Sequence, residues 1–283
     1  MIRIFLFIFV LTISSGIELA GLANPQKGRS ITADDFTRNR PQAKKRTQPT
    51  RTKKPPRTYY PTSTSVQRPE NKSSFQTLEV GVTIWKLQAV QGSRRGEVEP
   101  VARRVAADTR FREGDLLRLS IESPRSGYLY VIDRDWFTNG SPGETKLVFP
   151  QRGDDNRLEA GKLIDIPAED LAPFKASPAP NQAGELLTII VTSSPLPLSI
   201  SDQPLPISSV QLSEFEKRWG GLTERFELNG GIGQTRTDEE RQAAAREGAR
   251  QLTRDDPIPQ TIYLVTPKDT DGLLFNLLLS YVR

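Results

Sequence analysis

The chain has 283 residues and a net charge of +5, and it contains no histidine, no cysteine and one methionine. The absence of cysteine excludes disulfides, thiolate nucleophiles and Cys-ligated metals, and the absence of histidine removes the commonest general base and metal ligand. Ser-His-Asp and Cys-His catalysis are therefore excluded, which leaves carboxylate pairs, Ser-Lys arrangements or oxygen-ligated Mg²⁺ or Ca²⁺ as chemistry open to an enzyme.

The first 23 residues have the layout of a secretory signal peptide. Arg3 supplies a short positive region, an apolar run covers residues 4–13, and Gly21 and Ala23 place small residues before a cleavage site. We predict a Sec-type signal that is cleaved after Ala23, so that the mature protein is exported to the periplasm or the extracellular space. A retained anchor is the alternative, but the run is too short to span ~30 Å of hydrocarbon. No transmembrane helix is expected after cleavage.

Residues 24–75 differ from the rest of the chain in composition, with thirteen Lys or Arg, three acidic residues and seven Pro. Such a segment has too little apolar area to offset its backbone entropy, so we predict a disordered basic linker. Its net charge of +10 leaves −5 for residues 76–283, so the pI near 9.4 gives no reason to predict specific nucleic-acid binding. The linker is interpreted as a soluble spacer or as an arm that contacts a polyanion. The candidate contact residues of that arm are Lys44, Lys45, Arg46, Lys53, Lys54 and Arg57.

Residues 76–283 carry mostly β-strand signals and are predicted to form one β-rich domain. Apolar runs predict strands at 78–87, 116–121, 128–132, 146–150, 161–167, 186–191, 261–265 and 273–281. Turn residues at 124–127 and 268–272 predict one hairpin over 116–132 and another at the C-terminus. The run at 186–191 is nearly all apolar, so we expect it to be buried on both faces. We expect Leu119 to face the core and Ser120 to lie on the opposite face, where its truncation costs little if that face is wet.

Two helices are predicted within residues 209–252. Capping boxes at Ser213 and Thr237 mark their starts, Gly220 ends the first helix, and the second extends to about Leu252. The glycine-rich residues 229–235 are predicted to link the two helices. Short strands without a regular βα alternation predict a mainly β fold, an antiparallel β-sandwich with a small helical insertion near residues 209–252.

Few residues suggest a functional site. Asp133 and Asp135 loosely resemble a calcium loop, but the EF-hand spacing is absent, so we interpret them as turn formers. The P-loop lysine and a Ser-x-x-Lys signature are also absent, so we predict no cofactor, no metal and no catalytic residue. Trp136 and Phe137 follow in a polar segment, and we predict them as candidate contacts for a ligand or partner, with loop packing as the alternative.

Several short motifs, taken in order, resemble a known family. They are Phe111-x-x-Gly-Asp, residues 126–133, Phe149-Pro150, Asp155-Asn156, Ala160-Gly161, Ile166-Pro167 and residues 184–188. Their order and spacing resemble the bacterial domain of unknown function 4384 over residues 80–196, and residues 219 and 256–263 are similar to a C-terminal extension of its exported members. The resemblance implies a non-catalytic β-rich module and assigns no functional residues.

Two functional hypotheses from different classes follow. The first is an exported, non-catalytic β-sandwich module that mediates contacts with an unidentified protein or cell-envelope component. The second is a carboxylate-dependent hydrolase, or a binder, of envelope or extracellular polysaccharide. A cleft that holds two carboxyl groups ~5–9.5 Å apart distinguishes the hydrolase from the module. We predict the non-enzymatic module.

Overall fold

Strands make up 45% and helices 12% of the computed structural model, which describes residues 33–42, 77–88, 100–245 and 250–282. All of these residues belong to the contact unit that runs from Ile31 to Arg283. The helices are α1 (Ala33–Thr37), α2 (Ser209–Trp219) and α3 (Asp238–Ala244), with a 3-10 turn at Asn229–Gly231. The strands are β1 (Leu78–Gln88), β2 (Val101–Val105), β3 (Arg110–Phe111), β4 (Leu116–Glu122), β5 (Gly127–Phe137), β6 (Pro142–Phe149), β7 (Arg157–Leu158), β8 (Ile164–Ile166), β9 (Phe174–Lys175), β10 (Gln182–Thr192), β11 (Leu205–Pro206), β12 (Gly221–Glu227), β13 (Thr261–Pro267) and β14 (Gly272–Tyr281).

The strands form two seven-stranded sheets. Sheet A has the order β12-β13-β1-β4-β8, with β2 also paired to β1 and β9 also paired to β4. Sheet B has the order β11-β6-β5-β10-β14-β3, with β7 also paired to β5. Among the described strands the pairings are antiparallel except for the short contact of β14 with β3. The predicted antiparallel β-sandwich with a small helical insertion is confirmed.

Alternate residues of the strands fill the space between the two sheets, as the two-residue period of a strand requires. In sheet A the inward series of β1 includes Val82 and Ile84, and that of β4 includes Leu119. In sheet B the inward series of β10 includes Ile189. Leu119 is 1% exposed, which confirms the predicted direction of its side chain.

Both outer faces of the sandwich are also covered. On sheet B, α2 packs Leu212 and Trp219 against Ile190 of β10. Because Ile189 faces the core and Ile190 faces the helix, β10 is buried on both faces, as predicted. On sheet A the cover includes residues 33–42, which bring an aromatic side chain to the outer face of β13.

Two predicted hairpins are wrong, because their strands belong to different sheets. The strand β4 pairs with β1, β8 and β9 in sheet A, whereas β5 pairs with β6, β7 and β10 in sheet B. Residues 123–126 therefore carry the chain across the core, and residues 268–271 do the same between β13 and β14. A four-residue connection suits a hairpin and an arch between sheets equally well, so strand pairing alone distinguishes them.

The predicted helix starts and ends are partly correct. The helix α2 begins earlier than predicted because Ser208 is its N-cap, and it ends at Gly220 as predicted. The helix α3 begins at the predicted capping box of Thr237, but it ends at Ala244 instead of near Leu252. The glycine-rich residues 229–235 do not join the two helices directly, because β12 lies between α2 and that segment.

Residues 33–42, which we call the strap, are folded against the outer face of sheet A. Phe36 is fully buried and Arg40 is 2% exposed. The predicted disorder of residues 24–75 is therefore wrong for the strap, because one aromatic and one arginine find partners that are distant in sequence. The other residues of that predicted linker, and the predicted signal peptide, lie outside the described residues.

Candidate functional site

A layer of buried polar side chains covers part of the outer face of sheet A. The polar layer consists of Trp85, Arg104, Ser120, Asp165, Arg236 and Glu240. The guanidinium carbons of Arg104 and Arg236 lie 5.2 and 5.8 Å from the ring centre of Trp85, within cation–π range. Trp85 Nε1 donates a hydrogen bond to Ser120 Oγ at 2.7 Å, and Ser120 Oγ donates to Asp165 Oδ1 at 2.6 Å.

Each carboxylate of the polar layer faces an arginine. Arg236 Nη2 lies 2.7 Å from Asp165 Oδ2, and Arg104 hydrogen-bonds to Glu240. All four of these side chains are at most 4% exposed. Burial raises the pKa of Asp165, and the nearby Arg236 opposes that rise. These charges are paired with each other and closed to solvent, so loss of one partner would leave a buried charge uncompensated.

We expect Ser120→Ala to lower the free energy of unfolding by about 1–3 kcal/mol, because it leaves Trp85 Nε1 and a buried oxygen of Asp165 without their shared partner. The small effect expected from the sequence assumed a wet face, but Ser120 is only 2% exposed. Denaturant unfolding measures the change, with the exposed Ser209→Ala as the control. If Ser120→Ala lowered the free energy of unfolding by less than about 0.5 kcal/mol, the hydrogen bonds that link Trp85, Ser120 and Asp165 would not contribute to stability.

A second cluster of polar side chains, the acidic end, continues the inward-facing series of sheet B beyond its apolar residues. It consists of Asp133 and Asp135 of β5, Gln182 and Glu185 of β10, and Tyr281 of β14. Tyr281 Oη donates to Glu185 Oε1 at 2.7 Å. Gln182 Nε2 donates to Asp135 Oδ1 at 3.0 Å and to Glu185 Oε1 at 3.1 Å. Two neighbouring strands, β5 and β10, therefore bring three carboxyl groups together, and β14 adds the tyrosine.

Asp133 and Glu185 are arranged to share a proton. Burial and the neighbouring Glu185 raise the pKa of Asp133 to about 8. Asp133 Oδ1 and Glu185 Oε2 are both buried, and neither accepts a hydrogen bond from another described residue. A protonated Asp133 satisfies both oxygens with a single O–H···O bond. Asp133 can hold a proton at neutral pH and release it in mildly alkaline solution.

The shared proton makes stability depend on pH. The folded-state pKa of Asp133 lies above the value of about 4 in an unfolded chain, so its stabilising effect is complete below pH 4 and is lost as the pH rises toward 8. In the native chain the free energy of unfolding should fall with pH over that window by up to about 1.4 kcal/mol per pH unit, and we expect Asp133→Asn to remove this dependence. The variant should therefore be more stable than the native chain at pH 9. Unfolding from pH 4 to 9 tests this, with the exposed Asp202→Asn as the control. Parallel pH profiles for the native chain and Asp133→Asn would contradict it.

The residues predicted from the sequence as a contact site lie at the end of β5. Trp136 and Phe137 are strand residues, and both are half-buried. Phe137 packs over Gly143, where an added Cβ would lie 2.9 Å from its Cε2 atom, and Asp135 packs over the same glycine. The interpretation of Asp133 and Asp135 as turn formers is wrong, because both are part of β5. The six basic residues predicted to contact a polyanion lie outside the described residues.

The sequence pattern did not indicate that Gln182, Glu185 and Tyr281 lie with Asp133 and Asp135 in the acidic end. One signal was present, since Glu185 occupies an inward position in the series that continues with Leu187. A carboxylate at an inward position of an apolar strand is costly unless a polar partner accompanies it. That placement points to a paired group, but the identity of the pair depends on strand order.

Within the described ranges, no three Asp or Glu side chains are arranged to hold a metal ion. None of the helices in those ranges has the length and apolar character needed to cross a membrane. The resemblance to the domain of unknown function 4384 stays a prediction from short motifs. No protein-family model, curated protein or solved structure matches the chain.

Proposed function

We propose that the chain is an exported, non-catalytic β-sandwich module that contacts a protein or another component of the cell envelope. One observation carries the proposal, namely that the four ionisable side chains of the polar layer are committed to internal pairs. Asp165 faces Arg236 and Glu240 faces Arg104, and all four are closed to solvent. Side chains held in this way stabilise a fold and do not contact a substrate.

The acidic end also differs from the site of a glycoside hydrolase. Glu185 is a near neighbour of Asp133 and, after burial, the next cause of the raised pKa of that carboxyl group. Glycoside hydrolysis places its two carboxyl groups ~5–9.5 Å apart, so that a sugar and, in inverting enzymes, a water fit between them. Asp133 Oδ1 and Glu185 Oε2 are both buried, so these two oxygens do not face an open cleft. The geometry therefore favours the module over the hydrolase as the proposed function.

We place the proposed contact at the end of β5. Trp136 and Phe137 are half-buried there, next to the turn that leads into β6. Aromatic side chains are enriched at the centres of protein interfaces, where one face packs and the other meets a partner. We also propose that the basic run contacts an anionic polymer. Its residues are Lys44, Lys45, Arg46, Lys53, Lys54 and Arg57.

Site-specific photocrosslinking in cells tests the proposed contact. A benzophenone amino acid replaces Trp136 or Phe137 in the full chain, and Val210, which is 68% exposed on α2, is the control position. We expect a discrete covalent adduct at Trp136 or Phe137 and none at Val210. Equal labelling at all three positions, or none at any, would contradict the proposed surface.

A hydrolysis assay tests the alternative. The mature protein is incubated with isolated envelope polysaccharide, and the release of soluble fragments is compared with that by Asp133→Asn and Glu185→Gln. We expect no release above the buffer control. Release by the native chain that both variants abolish would overturn the non-catalytic proposal.

Export is tested separately. We expect N-terminal sequencing of the protein from the extracytoplasmic fraction to begin at Asn24, because Gly21 and Ala23 form a signal-peptidase motif. A chain in that fraction that still begins at Met1 would show that the apolar segment is retained. A chain found only in the cytoplasm would overturn the export proposal.

A further inference from the structure

The strap lies in a groove on the outer face of sheet A, and its first anchor is Phe36. The Phe36 ring packs against Ile262 and Leu264 of β13, with the half-buried Phe226 beside them. Gly81 of β1 forms the floor of the groove, because an added Cβ there would lie 2.8 Å from Phe36 Cζ. The groove is therefore shaped for an aromatic ring.

The second anchor is a pocket in which the guanidinium of Arg40 finds an acceptor for each of its five N–H groups. Nε and Nη2 each donate to an oxygen of Glu122 at 2.6 Å. Nη1 donates to the carbonyl oxygens of Thr253 and Asp256 at 3.2 and 3.1 Å, and Nη2 donates to that of Pro257 at 3.1 Å. A rigid fork matched by five oxygens selects arginine over lysine.

The chain between the strap and β1 is longer than their positions require. Residues 43–76 comprise 34 residues, which extend to roughly 110 Å when fully stretched. Glu122, the partner of Arg40, pairs with Gly81 in the neighbouring strand, so both ends of that stretch are anchored near adjacent strands. From Gly81 back to Thr77 the strand covers only about 13 Å at ~3.3 Å per residue. The strap is thus attached as a tethered peptide.

We propose that this groove is a peptide-binding site that accepts the strap of a second copy of the chain in exchange for its own. The exchange replaces each contact of Phe36 and Arg40 with an identical contact made by the other copy. The equilibrium between chains that bind their own strap and chains that have exchanged straps therefore depends on the protein concentration and on the tether. Covalent attachment gives the strap an effective concentration on the order of mM. The strap of a second copy therefore competes for the groove when the protein concentration reaches that effective concentration. It also competes when substitutions weaken the binding of the attached strap.

Binding of a separate strap peptide tests the site. The full chain with Phe36→Ala and Arg40→Ala has a weakened strap of its own, and a fluorescent peptide of residues 31–42 is titrated into it. We expect saturable binding by anisotropy, and an affinity lower by about tenfold or more when the peptide carries Arg40→Ala. Glu122→Gln in the chain should lower the affinity for the native peptide by a similar factor. A folded chain that does not bind the native peptide would overturn the proposal.

Exchange between copies is tested by mixing. The chain with Phe36→Ala and Arg40→Ala has a weakened strap, so its native groove is available. The chain with Glu122→Ala has a native strap, but its own pocket for Arg40 is damaged. We expect the mixture to form a dimer in gel filtration at concentrations where neither chain does so alone. Two chains that elute separately at every ratio would show that the strap acts only within its own chain.

A third measurement applies if the double variant does not fold. A site-specific protease sequence is inserted between Tyr60 and Pro61 of the otherwise native chain and is cut after folding. We expect the strap fragment to co-elute with the domain and to be displaced by an excess of the labelled peptide. A fragment that never exchanges, or that leaves and does not rebind, would overturn the proposal.

Discussion

Arg40→Ala is expected to lower the free energy of unfolding by about 3–5 kcal/mol. Both side chains of the pair with Glu122 are 1% exposed, so the variant leaves a buried carboxylate without its counter-charge. Burial already raises the pKa of Glu122, and Arg40 is the first of the groups that oppose the rise. Denaturant unfolding at pH 7 measures the loss.

Two further variants show whether the loss comes from the buried charge. Arg38→Ala removes an arginine whose side chain is 69% exposed, and we expect a change within about 0.5 kcal/mol. Glu122→Gln in the Arg40→Ala chain removes the uncompensated charge, so it should recover part of the lost stability. Equal losses for Arg38→Ala and Arg40→Ala would mean that the strap is not bound through its arginine.

Leu119→Ala is expected to lower the free energy of unfolding by about 2–5 kcal/mol, through lost transfer energy and the cavity it leaves. Leu119 is 1% exposed in the centre of sheet A, where it pairs with Ile84 of β1 and Ile166 of β8. Strand neighbours on both sides limit how far the site can collapse. Thermal or denaturant unfolding gives the change.

Leu222→Ala is the matched control for Leu119→Ala. Leu222 lies on β12, the terminal strand of the same sheet, and it is 67% exposed. We expect its truncation to change stability by no more than about 0.5 kcal/mol. If both leucines gave the same loss, the assignment of the inner face of sheet A would be wrong.

The fold class could be predicted from the sequence because it depends on local patterns. Alternation along β4 and the apolar run of β10 predict strands and their buried faces without knowledge of partners. The sheet to which each strand belongs depends on long-range pairing, and β5 joins sheet B although it follows β4 by only four residues. A local pattern carries no information on that choice, so both predicted hairpins failed.

The strap and the acidic end were missed for the same physical reason. Arg40 is buried by Glu122 and by carbonyl groups near Asp256, which lie 82 and 216 residues away in sequence. The pKa of Asp133 is raised because the assembled sheet buries this side chain and strand order places Glu185 beside it. In both cases the charged residue lies in a polar or turn-like segment of the sequence, and such segments are usually exposed to solvent. Only the assembled sheets supply the partner that buries it.

The folded domain includes the strap as well as the strands from β1 onward. Unfolding of two chains tests this most directly, one starting at Ile31 and the other at Ala43, since the contact unit begins at Ile31. The second chain lacks Phe36 and Arg40. The apolar cluster on the outer face of β13 therefore loses its aromatic ring, and Glu122 loses the arginine that pairs with it. We expect it to lose more than about 3 kcal/mol of stability, or to fail to fold. Equal unfolding midpoints for the two chains would contradict the account.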